Sequence, residues 1–548
     1  MKLGSYNQAH TRIGLALLLV FCLNTACLGE PPATPSPVLP TATAIRAPQP
    51  TATEAPPATA TVSSTATSVP PAATDTPVPA TGTPAPPAQA IRGCGPATDP
   101  PLPPDGIGDA YYPQMGNPGY DAQHYTLDLD VDVKANVITS TETLAARAAQ
   151  DLSAFNLDFR GFTIDRIAVD GAAATYQRAG GELTVDLPEP LRAGDAFTTT
   201  MTYTGTPSTV VPEALQIATG WQRSDTGLFV MGEPSGAEGW YAVNDHPCDK
   251  ATYTFNVTVP KPYIVAANGV LVDTRDNGAT QTYRWEMREP MASYLATVDI
   301  DDFVVQTVDG PNGLPIRNYF PRAIAAQAEK TFAHMADMIA FFNTRFGPYP
   351  FDAYGVSVAN SDLNYALESQ TLSLFGRSLV RDSSYPDPVV AHELSHQWFG
   401  DSVSLRQWQD IWLNEGFATY AEVLWAEHVD GPAGRDAYVR NLYRQVTDRT
   451  YPPPGKPPAD NLFNRGVYLR GGLTLHALRL KVGDDTFFSI LQTYTARYRY
   501  GNAGTADFIA VAQEVSGQDL QAFFDSWLYA KTIPDIPELD LRAPTPVP

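Results

Sequence analysis

The sequence predicts an α+β chain of two unlike domains, the first β-rich and the second mostly helical. Two periodicities point to this. Around Tyr125 apolar residues fall at every second position, as in strands with one wet face, and from about Ala323 they fall at helical spacing instead. A third observation sets the frame: 548 residues with 43% hydrophobic content are enough for two or three domains with their own cores.

Charge narrows the partners. The net charge is −23, from 36 Lys+Arg against 59 Asp+Glu, and no run of Lys and Arg compensates it, which argues against nucleic acid and anionic lipid. In residues 1–90, Lys2, Arg12 and Arg46 balance Glu30, Glu54 and Asp75, so the whole excess lies in 91–548. Four cysteines cannot staple a chain of this length.

At the N-terminus the run Ile13 to Leu23 is apolar and uncharged and follows Lys2 and Arg12. It is too short for a bilayer span of about 20 residues and reads as the core of a signal peptide. The following Leu23-Asn24-Thr25-Ala26-Cys27 resembles a lipoprotein cleavage box, although Asn24 stands where an aliphatic residue is usual. Lipid anchoring at Cys27 is the expectation, and plain cleavage with secretion the alternative. Either places the chain outside the cytoplasm of a bacterial cell.

From Pro31 to Ala90 the chain is nearly all Pro, Thr, Ala, Ser and Val, a composition that cannot bury enough apolar surface to offset chain entropy. It reads as an extended linker. Cys94 and Cys248 then remain as the two thiols of the folded part, expected to form a disulfide outside the cytoplasm or else to stay as buried free thiols.

In the β-rich domain, Tyr125, Leu127, Leu129, Val131 and Val133 alternate with Thr126, Asp128, Asp130 and Asp132. Shorter runs at Phe197 to Tyr203, Ala251 to Val259 and Thr282 to Glu286, separated by turn residues, predict further strands in a curved sheet or sandwich of antiparallel strands. Helical stretches are expected at Ala323 to Thr344, Val389 to Gly400, Trp408 to His428, Arg470 to Lys481 and Thr505 to Ala530. The division that follows is 1–27 signal, 28–100 linker, 101–305 β domain, 306–540 catalytic domain and 541–548 tail.

The second helical stretch carries the chemistry. Asp387 can cap it and Pro388 can occupy its first turn, so His392-Glu393-Leu394-Ser395-His396 should be helical. Two histidines four residues apart share one face, separated by a rise of about 6 Å, and can meet one metal ion, with Glu393 beside it to act on water. Nineteen residues after His396 comes Glu415, in the run Trp412-Leu413-Asn414-Glu415-Gly416-Phe417. Two histidines and a carboxylate make an open, catalytic zinc site, one ion per chain. The bland alternative is a polar helix face with no metal.

These segments resemble the gluzincin metallopeptidases of the aminopeptidase N and leukotriene hydrolase type. The spacing from His396 to Glu415, the phrases "WLNEGFATYAE", "HELSHQWFGDSV", "GYDAQHYTLDL" and "NDHPCDKATYTF", and the closing "FFDSWL" carry the likeness over roughly residues 105–535. The resemblance implies a saddle-like β domain on a thermolysin-like domain. It implies His392, His396 and Glu415 as zinc ligands, Glu393 as general base, and Tyr468 in "GVYLRGG" as the donor to the oxyanion. It further implies that Glu368 and Glu233 grip the substrate's free ammonium and that the edge strand at Ala366 pairs with its backbone. Tyr365, Ser369 and Met231 depart from the family's glycine, asparagine and glutamine.

The reaction expected is therefore removal of the N-terminal residue of peptides. An open-cleft endopeptidase is the first alternative, because the chain ends soon after the catalytic domain, without the helical domain that roofs many relatives. A non-catalytic peptide-binding lipoprotein of the same fold is the second.

Overall fold

Tyr125, Leu127, Leu129 and Val131 are buried and the residues between them are not, so Tyr120–Asp132 forms a strand with one face on the core. The computed structural model describes residues 106–381 and 388–543. The signal segment, Cys27, the linker, Cys94 and Asp387 lie outside the described residues. Tyr120–Asp132 is central in an eight-stranded sheet, flanked by Val137–Ala148 and Ala251–Pro260, with Ala196–Gly205 and Thr280–Met291 beyond them. The pairing with Val137–Ala148 is antiparallel, but that with Ala251–Pro260 is parallel, His124 to Thr252 through Asp130 to Thr258. The sheet is thus not wholly antiparallel as expected: two strands far apart in sequence close it through a long crossover, which no local pattern announces.

Buried aromatic rings fill the space under this sheet. Tyr125, Tyr241 and Tyr253 cluster at centroid distances of 5.1 to 6.2 Å. A second sheet of the same domain includes Leu228–Met231, Val298–Asp301 and Ile264–Ala267.

The next strand, Phe303–Asp309, changes allegiance. It pairs along its full length with Pro315–Pro321, in a five-stranded sheet that ends at the short strand Ala366–Leu367. The expected boundary at 305/306 cuts through this strand, and the division falls before Phe303. Apolar residues continue on both sides of the junction, Val298 and Ile300 before it and Phe303 to Val305 after it, so composition does not mark it.

Helices then follow in order: α1 (Ala325–Thr331), α2 (Met335–Phe346), α3 (Pro388–His396), α4 (Trp412–Asp448), α5 (Arg465–Val482), α6 (Asp484–Arg497) and α7 (Thr505–Ser516). The single helix expected over 323–344 is two, because the chain turns at Phe332 to stack its ring 5.7 Å from Phe320 and 4.9 Å from Phe375. The stretch expected over 505–530 divides at Gly517, a left-handed residue that closes α7. Helix α6 is an addition to the sequence reading; Gly483, at φ 84°, separates it from α5. Helix α4 runs far past His428, but Gly431, at φ 71°, and Pro432 break it.

The two domains share hydrogen bonds near α3. Lys250 of the first donates to the backbone oxygens of Asp401 (2.7 Å) and Ser402 (3.1 Å) in the turn after α3. Cys248, two residues away, is disulfide-bonded.

Candidate active site

Helix α3 places His392 and His396 on one face, their rings 4.9 Å apart, and both are buried. Each imidazole is held through Nδ1 by a group outside the trio. His392 Nδ1 donates to Glu422 Oε1 at 2.7 Å, and His396 Nδ1 donates to the backbone oxygen of Phe399 at 3.1 Å. The Nε2 atoms face the other way and converge on Glu415 Oε2 at 3.1 and 3.6 Å. Tetrahedral zinc with bonds of about 2.0 to 2.1 Å separates its ligand atoms by about 3.3 Å, so these three residues fit one zinc ion.

The electrostatics agree with that fit. Burial works against a charged imidazole, but the bonds to Glu415 and Glu422 outweigh it and push His392 up to about 10. Burial likewise opposes charge on Glu415, yet the neighbouring imidazoles hold its carboxyl down to about 2. The charges of Glu415 and Glu422 thus favour a cation at the two imidazoles, the place that zinc would take through their Nε2 atoms.

Around this trio the other expected residues assemble. Glu393 is buried, and burial together with Glu368 and Glu415 pushes its carboxyl up to about 8 against the lowering effect of the two histidines. Glu368, Glu393 and His396 also bring ligand atoms within 4.8 Å of one another, so Glu368 stands at the edge of the metal position. Tyr294 from the β domain donates to Glu368 Oε1 at 3.3 Å. The ring of Tyr468, near the start of α5, stacks 6.1 Å from His392. Burial, then the charges of Glu415, Glu233, Glu368 and Glu393, hold its phenol well above the usual range, so it stays a proton donor.

Glu233 arrives from the other domain. It is 7% exposed, and among the described residues its Oε1 has no hydrogen-bond partner. Burial raises its carboxyl well above the ordinary range, with Glu368 the first of the charges that add to this. Ala366 lies on the edge strand of the five-stranded sheet, opposite Phe375. Of the departures, Met231 and Tyr365 pack in a small apolar cluster with Phe229, Leu367 and Leu374, and Ser369 is buried.

Several contributors were absent from the sequence reading. Glu422 was the one with a signal: it follows Glu415 by seven residues, almost two turns, and so shares its helix face. Asn414 donates to Tyr294, and Asp401 is fully buried with Lys250 beside it, but nothing in the local sequence shows these contacts across the domains.

Comparison with known proteins places this geometry. Residues 331–527 match the peptidase family M1 domain and residues 121–295 the peptidase M1 N-terminal domain. An M1 zinc metallopeptidase of Deinococcus radiodurans, crystallised as a variant with the substrate Tyr-Ser-Ala, is 31% identical and superposes with a TM-score of 0.74 over 79% of this chain and 100% of that one. The chain belongs to peptidase family M1.

Other M1 relatives are more distant. Aminopeptidase N of Streptomyces lividans is 26% identical over 55% of this chain and 38% of that enzyme, and Leucine aminopeptidase 2 of Phaeosphaeria nodorum is 23% identical over 77% and 73%. The chain thus spans little more than a third of the Streptomyces protein. As in M1 zinc metallopeptidases generally, the β-rich domain precedes a helical catalytic domain, and the cofactor is Zn2+.

Proposed function

We propose that the protein is a zinc aminopeptidase that removes the N-terminal residue of short peptides. The observation that carries this reading is that Glu368 lies beside the proposed metal ligands and that its charge acts on Glu233, a buried acid from the other domain. Two buried acids so close repel one another unless a cation lies between them, and a substrate ammonium is that cation. Its capture sets the register and brings the first peptide bond to the metal. The Deinococcus neighbour was crystallised with the tripeptide Tyr-Ser-Ala, and two similar two-domain M1 zinc metallopeptidase structures hold L-arginine and L-tryptophan, which supports ligands with a free amino group.

His392, His396 and Glu415 would hold the ion. Zinc, when bound, polarises the scissile carbonyl and acidifies water. Glu393 takes the proton from the attacking water and passes it to the leaving amine, a task for a carboxyl whose affinity for protons lies between those of the two partners. Tyr468 donates its phenolic hydrogen to the oxygen that gains charge in the tetrahedral state. The edge strand at Ala366 offers backbone groups to an extended peptide.

The same reading places the enzyme outside the cell membrane, exported by Ile13 to Leu23 and tethered through lipid at Cys27, with residues 28–100 as the spacer. Support for this rests in the sequence. The function is tested with fluorogenic aminoacyl substrates, free or acetylated at the amine, with and without chelator. Hydrolysis of the free substrates alone, lost on chelation, is the expected result; equal hydrolysis of both overturns the aminopeptidase reading in favour of an open-cleft endopeptidase.

A further inference from the structure

We infer that Glu422 and Tyr438 are positioning residues that set zinc affinity through His392, and that the folded-back arm of α4 is the device that holds them. The two histidine ligands are not equivalent. His396 donates to a neutral backbone oxygen, whereas His392 donates to the buried carboxylate of Glu422. A carboxylate acceptor fixes the tautomer and makes the other nitrogen more basic, so His392 is the stronger ligand of the pair.

That carboxylate has its own support. Its second oxygen accepts a hydrogen bond from the hydroxyl of Tyr438. In an unbroken helix residues 422 and 438 would lie about 24 Å apart. The break at Gly431 and Pro432 doubles residues 433–448 back and makes the contact. The arm is pinned where it matters: Arg435 bridges to Glu427 at 2.9 Å, Arg479 of α5 bridges to the same Glu427 at 2.5 Å, and Tyr443 donates to the backbone oxygen of Pro534 at 3.1 Å. Tyr438 is therefore held in place by contacts independent of the metal.

A carboxylate that is 1% exposed needs a partner on each oxygen. Without the phenol, Glu422 is half satisfied and free to turn toward another donor, and its hold on His392 loosens. The metal then meets an imidazole that is no longer locked with Nε2 facing Glu415.

The inference rests on the zinc reading of the site, and the test separates the two. Zinc affinity of the purified protein is measured by competition with a chromogenic chelator, and ligand geometry by the visible absorption of the cobalt(II)-exchanged protein. If the unmodified protein takes up no zinc, the reading of the site fails. If it does, Glu422→Gln should weaken zinc about 10- to 100-fold and Tyr438→Phe about 3- to 10-fold, both with a shifted cobalt spectrum and an unchanged melting temperature of the metal-free protein. The double variant should be no weaker than Glu422→Gln alone, because Tyr438 acts through Glu422. Additive losses, or a Tyr438→Phe protein with zinc affinity within twofold of the original and an unaltered cobalt spectrum, would overturn the inference. The isosteric Tyr438→Phe keeps the test decisive even if Glu422→Gln fails to fold.

Discussion

A Cβ added to Gly471 would lie 2.8 Å from the Cα of Gly416, and one added to Gly416 would lie 2.9 Å from the Cα of Gly471. At this point α4 and α5 touch backbone to backbone. The contact is next to Glu415 on one helix and one turn after Tyr468 on the other, so it fixes the distance between a proposed metal ligand and the proposed oxyanion donor. Gly471→Ala must push the helices apart, since backbone cannot yield as a side chain would. A cost of about 1 to 3 kcal/mol is expected, with a fall in kcat from the displaced Tyr468. Melting curves and kcat measured together check this, and a variant with unchanged kcat would dissociate the crossing from the site.

Glu393→Gln should keep its zinc and lose about 10²- to 10⁴-fold in turnover, because an amide cannot accept the proton of water. Metal content and kcat on one preparation decide it. Near-normal turnover would mean that another group is the base.

Tyr468→Phe removes one donor aimed at charge that develops only near the transition state. It should lower kcat about a hundredfold, worth about 3 kcal/mol, and leave KM almost unchanged. Steady-state kinetics make the distinction, and an effect confined to KM would assign the tyrosine to substrate binding.

Stability should depend on pH through Glu142 of the β domain. This buried carboxyl accepts from Ala242 N (2.9 Å) and Tyr203 (3.0 Å), yet burial outweighs both and pushes it up from 4.5 to about 8. A folded-state value above the unfolded one means that its contribution is complete below about pH 4.5 and is lost as pH rises to about 8. Glu142→Gln is uncharged throughout, so its stability relative to the original should grow across that window, by at most on the order of 5 kcal/mol. Denaturant titrations at pH 5 and pH 8 measure the difference; an equal gap at both would show that the carboxyl is charged in the fold.

The proposed metal ligands are legible in the sequence because their geometry is local: two histidines four residues apart on one helix, and a glutamate inside a recognisable helical phrase. Tyr468 and Glu368 are proposed from their neighbouring phrases rather than from spacing. What stayed hidden depends on tertiary folding. Tyr438 reaches Glu422 only because α4 breaks at Gly431, and a glycine before a proline announces a break but not the direction of the chain after it. Phe303–Asp309 was divided between domains because a strand's alternation says nothing about which sheet it joins.

The last prediction concerns the acid pair. The carboxylate of Glu368 accepts a hydrogen bond from Tyr294, whereas Glu233 has an oxygen without a partner among the described residues. If both face an ammonium, each single change to glutamine removes one charge-assisted bond, worth about 1.5 to 3 kcal/mol, and leaves the other acid still beside the substrate. The cost should fall on free-amine substrates and spare acetylated ones, which have no charge to lose. Glu368→Gln should therefore lower kcat/KM for free peptides by about 10- to 150-fold and narrow the ratio of free to acetylated rates, and Glu233→Gln should do the same. Because both act on one ammonium, the double variant should lose less than the product of the two single losses. Losses that are equal for free and acetylated substrates would show that the two carboxylates support the site's structure and do not read the amino terminus.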